Sequence, residues 1–301
     1  MRKIAILGLG LIGGSLALAL RKANLAEQIA GYDARLDALK RAREQGAITQ
    51  ICLTPEEAAQ QADMVVLATP VLAMHELMGR IAPVLKPGTL VTDTASTKAE
   101  VMDWAKTLLP PEVTFVGGHP MSGRERSGIE AAEVELLEGC IYCLTPAVGT
   151  PPEEIARLSE FVTRLGAHPL IMDPAEHDRL VAGISHLPFV LSTALVQMLG
   201  TEEDWPELAG LAAGGYRDMS RLAEGSPIMH RDICMTNREV LLGWLDAMEL
   251  ELERVRRLIT TGDAALEAYF VQAKQIRDTW PLHRATLLEK ISREVLLSTG
   301  S

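Results

Sequence analysis

The stretch KIAILGLGLIGGSLALAL, Lys3 to Leu20, opens with five residues of strand character and closes with an apolar run at helical spacing. Between them, G-x-G-x-x-G falls on Gly8, Gly10 and Gly13. Alone that pattern is weak, but after a strand and at the start of a helix it is a strong sign of a dinucleotide-binding turn. Gly8 allows the tight turn, Gly10 lets the backbone approach a pyrophosphate, and Gly13 lets helix and strand pack closely. The helix start turns its unpaired N–H groups toward the phosphates. Gly8, Gly10, Leu11, Ile12 and Gly13 are therefore expected to bind a cofactor.

Outward from that turn the pattern alternates. IAGYD ends at Asp33, twenty residues past Gly13. A carboxylate there can accept hydrogen bonds from the adenine ribose hydroxyls and would repel a 2′-phosphate, which favours NAD over NADP. Arg35, two residues on, could hold such a phosphate. DMVVLATP (63–70) reads as a buried strand that runs into a polar crevice at Thr69 and Pro70, two further cofactor-binding candidates. GTLVTDTASTK (88–98), VTFVGGHP (113–120), CIYCLTP (140–146) and HPLIMD (168–173) read as strands, with helices near Thr97 and over 152–165. Strands alternating with helices predict a Rossmann-like, doubly wound α/β sheet. At DPAEHDRL the character changes: Asp173 caps a helix, Pro174 takes its first position, and Pro188 is expected to kink it. The remainder is helical. The expected organisation is a nucleotide-binding domain over 1–172 and an all-α substrate-binding and dimerisation domain over 173–301.

Bulk properties narrow the class. The chain has 301 residues, 48% of them apolar, enough for two ordinary domains with sizeable cores. A formal charge of -11 argues against a nucleic-acid partner. The basic, apolar N-terminus is broken by glycines and does not read as a signal peptide, and no other window has some twenty uninterrupted apolar residues, so no membrane association is expected. The four cysteines include a C-x-x-C at Cys140 and Cys143. On a strand these point to opposite faces, which favours buried thiols in a reducing cytoplasm over a metal site. An apolar helical region of this size commonly covers its surplus against a second copy, so a homodimer is expected.

In an open α/β sheet, ligands bind beyond the carboxyl ends of the strands. Three segments end there with polar residues: Thr69-Pro70, Asp93 to Lys98, and His119 to Glu125. Topology thus places His119 beside the redox carbon, with Gly117 and Gly118 giving the cofactor room and Pro120 stiffening the turn. A neutral histidine can take an alcohol proton while hydride leaves the carbon. Ser96 could cap a helix, orient His119 or bond substrate. His186, in an apolar helix, reads either as a core histidine or as a site residue. Arg217 follows Gly214-Gly215, which suits presentation of a guanidinium to a carboxylate; a surface network with Asp218 and Arg221 is the other local reading.

Taken together, GLGLIGGS, GYD, DTASTK, GGHPMSGRERSG, CLTP, SHLP and GYRDMSRLAEGSPIMHRDICMTN resemble the prephenate/arogenate dehydrogenase family, in the family's order, over residues 6 to about 237. The resemblance implies an NAD-dependent oxidative decarboxylation of a cyclohexadienol, on the route to tyrosine. It implies catalytic roles for His119, which accepts the ring hydroxyl's proton, and for Ser96. It implies substrate binding by Arg217 and His186, and an acidic residue, Glu125, at the pocket mouth. Three positions depart from the family pattern. Phe189 stands where a second histidine is common, His230 where tryptophan is frequent, and Arg124 where a small hydroxyl residue is common. These leave the choice between prephenate and arogenate open. At 301 residues neither a regulatory ACT domain nor a fused chorismate mutase is expected, so tyrosine feedback would act at the active site. A β-hydroxyacid dehydrogenase shares the architecture but needs a lysine early in its helical domain, which AGISHLPFVLS lacks. A dinucleotide sensor without turnover would not need Ser96, His119, His186 and Arg217 together.

Overall fold

The computed structural model describes residues 1–124, 126–262 and 264–299, with the side chains of 294–299 left aside. Two compact units result, 1–238 and 239–301. In the first, strands and helices alternate: β1 (Lys3–Leu7), α1 (Leu11–Lys22), β2 (Gln28–Tyr32), α2 (Leu36–Glu44), β3 (Gln50–Ile51), α3 (Pro55–Ala59), β4 (Met64–Leu67), α4 (Val71–Ile81), β5 (Leu90–Asp93), α5 (Ala99–Leu108), β6 (Thr114–Pro120), β7 (Ile141–Pro146), α6 (Pro152–Arg164) and β8 (His168–Ile171). The eight strands form one sheet in the order β3-β2-β1-β4-β5-β6-β7-β8. All pairings are parallel except β6 with β7, which sets His119 opposite Cys143.

Burial explains the strands. In a parallel sheet covered on both faces every side chain is buried, so the strands read as continuous apolar runs, as MVVL of β4 does. Successive residues still alternate faces. Ile4 and Ile6 of β1 join one core with Leu16, Leu20 and Val66. Ala5 and Leu7 join the other with Val65, Leu67 and Met74. The strand order reverses direction between β1 and β4, which opens a crevice beyond their carboxyl ends. Gly8 turns the chain there with φ +101, and a Cβ on it would lie 2.5 Å from the Ala68 carbonyl oxygen.

The helical region follows as α7 (Pro174–Val181), a π-helical turn (Ala182–His186), α8 (Leu187–Gly200), α9 (Trp205–Leu211), α10 (Gly214–Ser220) and α11 (Pro227–Thr236). Asp173 caps α7, accepting from the N–H groups of Ala175 and Glu176. Pro188 has no N–H to continue the ladder, and the turn before it widens, so that the Leu187 N–H reaches back to the Ala182 carbonyl. Such bulges often mark functional sites; this one carries His186, fully buried.

Strands thus give way to helices at residue 172, while the first compact unit runs on to Arg238. Its helices are stitched to the sheet layer through helix ends. Asp178 of α7 accepts from the Lys98 and Ala99 N–H groups at the start of α5, at 2.7 and 2.9 Å. Asp232 of α11 accepts from Leu72 at the start of α4. The Thr97 and Thr236 hydroxyls are 2.8 Å apart. The run Pro174–Gly200 has the length and the mean hydropathy of 1.5 found in membrane spans, yet His177, Asp178 and His186 within it are buried and hydrogen-bonded to the rest of the unit. The second unit takes in α12 (Arg238–Thr261) from Glu239 onward and α13 (Ala264–Thr299); the Arg254 guanidinium lies 5.2 Å from the centre of the Tyr269 ring.

One buried ion pair fixes the end of β5. Lys98 Nζ pairs with Asp93 and donates to the Gly118 carbonyl at 2.7 Å. Asp93 also accepts from Gly118 and Ala95 N–H groups at 2.9 and 2.8 Å. Removing one partner of such a pair leaves a buried charge uncompensated. Lys98→Met is therefore expected to lower stability by about 3 kcal/mol or more, with much of the loss recovered in Asp93→Asn/Lys98→Met. Urea unfolding measures both; a single variant as stable as the parent would remove Lys98 from this role.

Candidate active site

The nucleotide end is built from the turn after β1. A Cβ on Gly13 would overlap the Gly8 carbonyl oxygen, and one on Gly14 the side chains of Ile129 and Ala132. One on Gly10 would meet nothing. Gly10 therefore faces open space at the start of α1, where no side chain caps the helix and the first-turn N–H groups of Leu11, Ile12 and Gly13 have no intrahelical acceptor. Asp33 pins this turn. Its Oδ2 accepts from the Leu9 N–H at 2.8 Å, its Oδ1 from the Arg35 N–H at 2.9 Å, and Arg35 Nε lies 3.8 Å away. Thr69 Oγ1, across the crevice beside Pro70, is buried with no hydrogen-bond partner among the described residues. An open cradle, free helix N–H groups, a strand-end carboxylate and an orphaned hydroxyl together fit a dinucleotide.

The chemical end lies where β6 stops. Gly117 and Gly118 were expected to make room for a cofactor, and the structure corrects this. A Cβ on Gly117 would strike Thr145, Met102 and Lys98, and one on Gly118 the Asp93 carbonyl and the Tyr142 ring. The glycines admit neighbouring protein, chiefly the lysine that holds the strand end. His119 follows, 8% exposed. Its Nδ1 lies 2.9 Å from His177 Nε2, and His177 Nδ1 lies 2.8 Å from Asp178 Oδ1. Asn237 donates to the Asp178 carbonyl at 2.9 Å and lies 3.3 Å from His186 Nδ1. Burial holds the His119 imidazole well below its usual range, reinforced by His177, Lys98 and His186. Burial likewise pushes His186 down to about 4, opposed by Asp178; its Nε2 has no hydrogen-bond partner among the described residues.

The predicted residues are only partly brought together. His119 and His186 share the hydrogen-bonded cluster. Ser96 is half-buried with its backbone beside His186; it does not cap α5, whose start is served by Asp178, and the ring of His119 is oriented by His177 instead. Arg217, in α10, has a side chain 79% exposed and pairs with neighbouring Asp218 at 3.4 Å. Glu125 lies outside the described residues. Arg124 pairs with Glu133, and Phe189 and His230 stack on each other, 4.2 Å apart. Cys140 and Cys143 are buried and no disulfide joins them. Sequence reasoning passed over His177, Asp178 and Asn237. The only local signal was a His-Asp pair one turn past the Asp173 cap.

With this geometry in hand, comparison with known proteins is direct. Residues 16–171 match the nucleotide-binding domain of prephenate dehydrogenases and residues 173–273 their dimerization domain. The chain is 37% identical over 292 residues to a prephenate dehydrogenase of Lactococcus lactis, covering 95% of this chain and 80% of the relative. The structure of an Aquifex aeolicus prephenate dehydrogenase with hydroxyphenyl propionate and NAD+ superposes with a TM-score of 0.85 at 30% identity, over 92% of this chain and 97% of that one. A Synechocystis arogenate dehydrogenase superposes with a TM-score of 0.77 at 32% identity, over 92% and 99%. The fold and the site are those of a nucleotide-dependent dehydrogenase. The chain belongs to the prephenate dehydrogenase family.

His186 also makes stability depend on pH. The unfolded chain binds a proton on this imidazole near pH 6.5, the folded chain only near pH 4. Its contribution is complete above pH 6.5 and is lost as the pH falls toward 4. The urea midpoint should drop across that window, with on the order of 3 kcal/mol from this residue, and the drop should shrink in His186→Gln. An equal drop in parent and variant would show that the imidazole does not titrate this way.

Proposed function

We propose that the protein is an NAD-dependent prephenate dehydrogenase that converts prephenate to 4-hydroxyphenylpyruvate in the cytoplasm. The observation that carries this reading is a buried histidine, held through one ring nitrogen with its pKa lowered by burial, at the carboxyl end of β6 on the same edge of the sheet as the dinucleotide cradle after β1. NAD+, when bound, accepts the hydride from the ring carbinol carbon. His119 takes the proton of the hydroxyl on that carbon. The electron pair of the ring–carboxylate bond enters the ring, CO2 leaves, the ring becomes aromatic, and the former carbinol oxygen takes a proton back as the phenol hydroxyl. Ser96 helps hold the hydroxyl. Arg217, His186 and Glu125 bind the substrate, with the exposed guanidinium of Arg217 available to a carboxylate. Gly8, Gly10, Leu11, Ile12, Gly13, Asp33, Thr69 and Pro70 bind the cofactor.

Residues 1–172 serve as the nucleotide-binding part and 173–301 as the part that binds substrate and dimerises. Exposed Leu250, Ile259, Phe270, Ile276 and Trp280 in the second unit supply apolar surface that a second copy would cover in a homodimer.

Reduced-nicotinamide absorbance, followed with prephenate or arogenate and with NAD+ or NADP+, tests the assignment; turnover with prephenate and NAD+ is expected. His119→Asn should lower kcat by about two to four decades with NAD+ affinity intact. A kcat within a few-fold of the parent would end its role as base. Arg217→Ala should act chiefly on KM, and an unchanged KM would place the substrate carboxylate elsewhere.

A further inference from the structure

We propose that His177 and Asp178 form a relay that fixes the tautomer of His119, keeping the lone pair on Nε2; this deepens, and rests on, the reading of His119 as the base. The argument starts at Asp178. Its Oδ1 accepts from the Lys98 N–H and its Oδ2 from the Ala99 N–H, so the carboxylate acts as an acceptor. His177 Nδ1, at 2.8 Å from Oδ1, therefore carries a hydrogen. Neutral His177 then has its lone pair on Nε2, 2.9 Å from His119 Nδ1. Only one proton can occupy that contact, and it must come from His119. The single hydrogen of neutral His119 is thereby held on Nδ1, and its Nε2 is left as an acceptor. Nε2 makes no hydrogen bond to a described residue.

The same geometry reverses when His177 is protonated. Its Nε2–H then donates to His119 Nδ1, the hydrogen of His119 moves to Nε2, and the base is lost. The charged or titratable groups around the pair are Asp178 and His186 from the helical region, Lys98 from the turn after β5 with its partner Asp93 at the end of β5, and Cys143 from β7. His177 is a positioning residue: it reaches the reacting hydroxyl only through His119.

Nitrogen-15 NMR of histidine-labelled protein reads the tautomer without substrate or turnover, with the His119 signals assigned by their loss in His119→Asn. The parent should show a protonated Nδ1 and an unprotonated Nε2 at neutral pH. In His177→Asn the shorter side chain still reaches Asp178 but not His119. The His119 tautomers should then mix, kcat should fall about ten- to a hundredfold, the size found for groups that orient an imidazole through its far nitrogen, KM should change little, and the acid limb should move. His177→Gln, whose amide oxygen can accept the Nδ1 proton, should restore most of the loss. A parent protein with its His119 hydrogen on Nε2 overturns the proposal. So does a folded His177→Asn protein with parental tautomer, kcat and pH profile, or a folded His177→Gln protein that recovers nothing relative to His177→Asn. Absence of prephenate turnover in a protein with the expected tautomer would instead count against the proposed reaction and leave the relay standing.

Discussion

The Asp178 carboxylate is a constraint on which both the fold and the site depend. It accepts three hydrogen bonds, two from the start of α5 and one from His177, and its carbonyl takes a fourth from Asn237. A negative charge at a helix N-terminus is favoured by the helix dipole and by charge-assisted hydrogen bonds, and these offset the cost of burying it. α5 begins immediately after Lys98, so the capping contact also sets the residue whose ammonium reaches Asp93 and the Gly118 carbonyl. Cap, lysine, strand end and histidine therefore form one mechanical chain. A shift at Asp178 would be transmitted to His119 by two routes, through His177 and through Lys98.

Both routes act on His119 in the same electrostatic direction. Burial first, then His177 and Lys98, disfavour a charge on His119 and keep it neutral and ready to accept a proton. A base with a depressed pKa is also a weaker base. In the proposed reaction His119 becomes an imidazolium, and the Asp178 carboxylate is the acidic group that the hydrogen-bonded path through His177 leads to.

What could be read in the sequence was what is local. The glycine turn, Asp33, the apolar strands and the Asp173-Pro174 helix start each state their structure within a few residues, through backbone freedom, periodicity or capping. The two-residue β3 is too short to show a period. The contacts that organise the site are not local: His119 meets His177 58 residues later, and Lys98 meets Asp178 80 residues later. Nothing in TASTK announces that its helix is capped by a residue from α7, and Ser96 offers itself locally as a cap because Ser commonly is one. Gly117 and Gly118 were misread for a related reason. A glycine pair shows that something approaches closely, but whether that is cofactor or a buried lysine is decided by the neighbouring strands.

The departures at 189 and 230 also change meaning in three dimensions. In sequence they are separate: a phenylalanine where a histidine is common, and a histidine where a tryptophan is frequent. In the structure the two rings are stacked, 4.2 Å apart and within 4° of parallel, with Phe189 6.1 Å from His186. Burial lowers the His230 pKa and favours the neutral ring, which stacks without a charge to desolvate. Such pairs contribute about 0.5–1.5 kcal/mol beyond their burial. Gly225 belongs to the same arrangement, since a Cβ there would lie 2.5 Å from His230 Nε2. An aromatic face and an imidazole thus stand together, with Phe189 in turn facing His186. The two positions thus act as one stacked pair, and a change at either alters the ring that the other packs against.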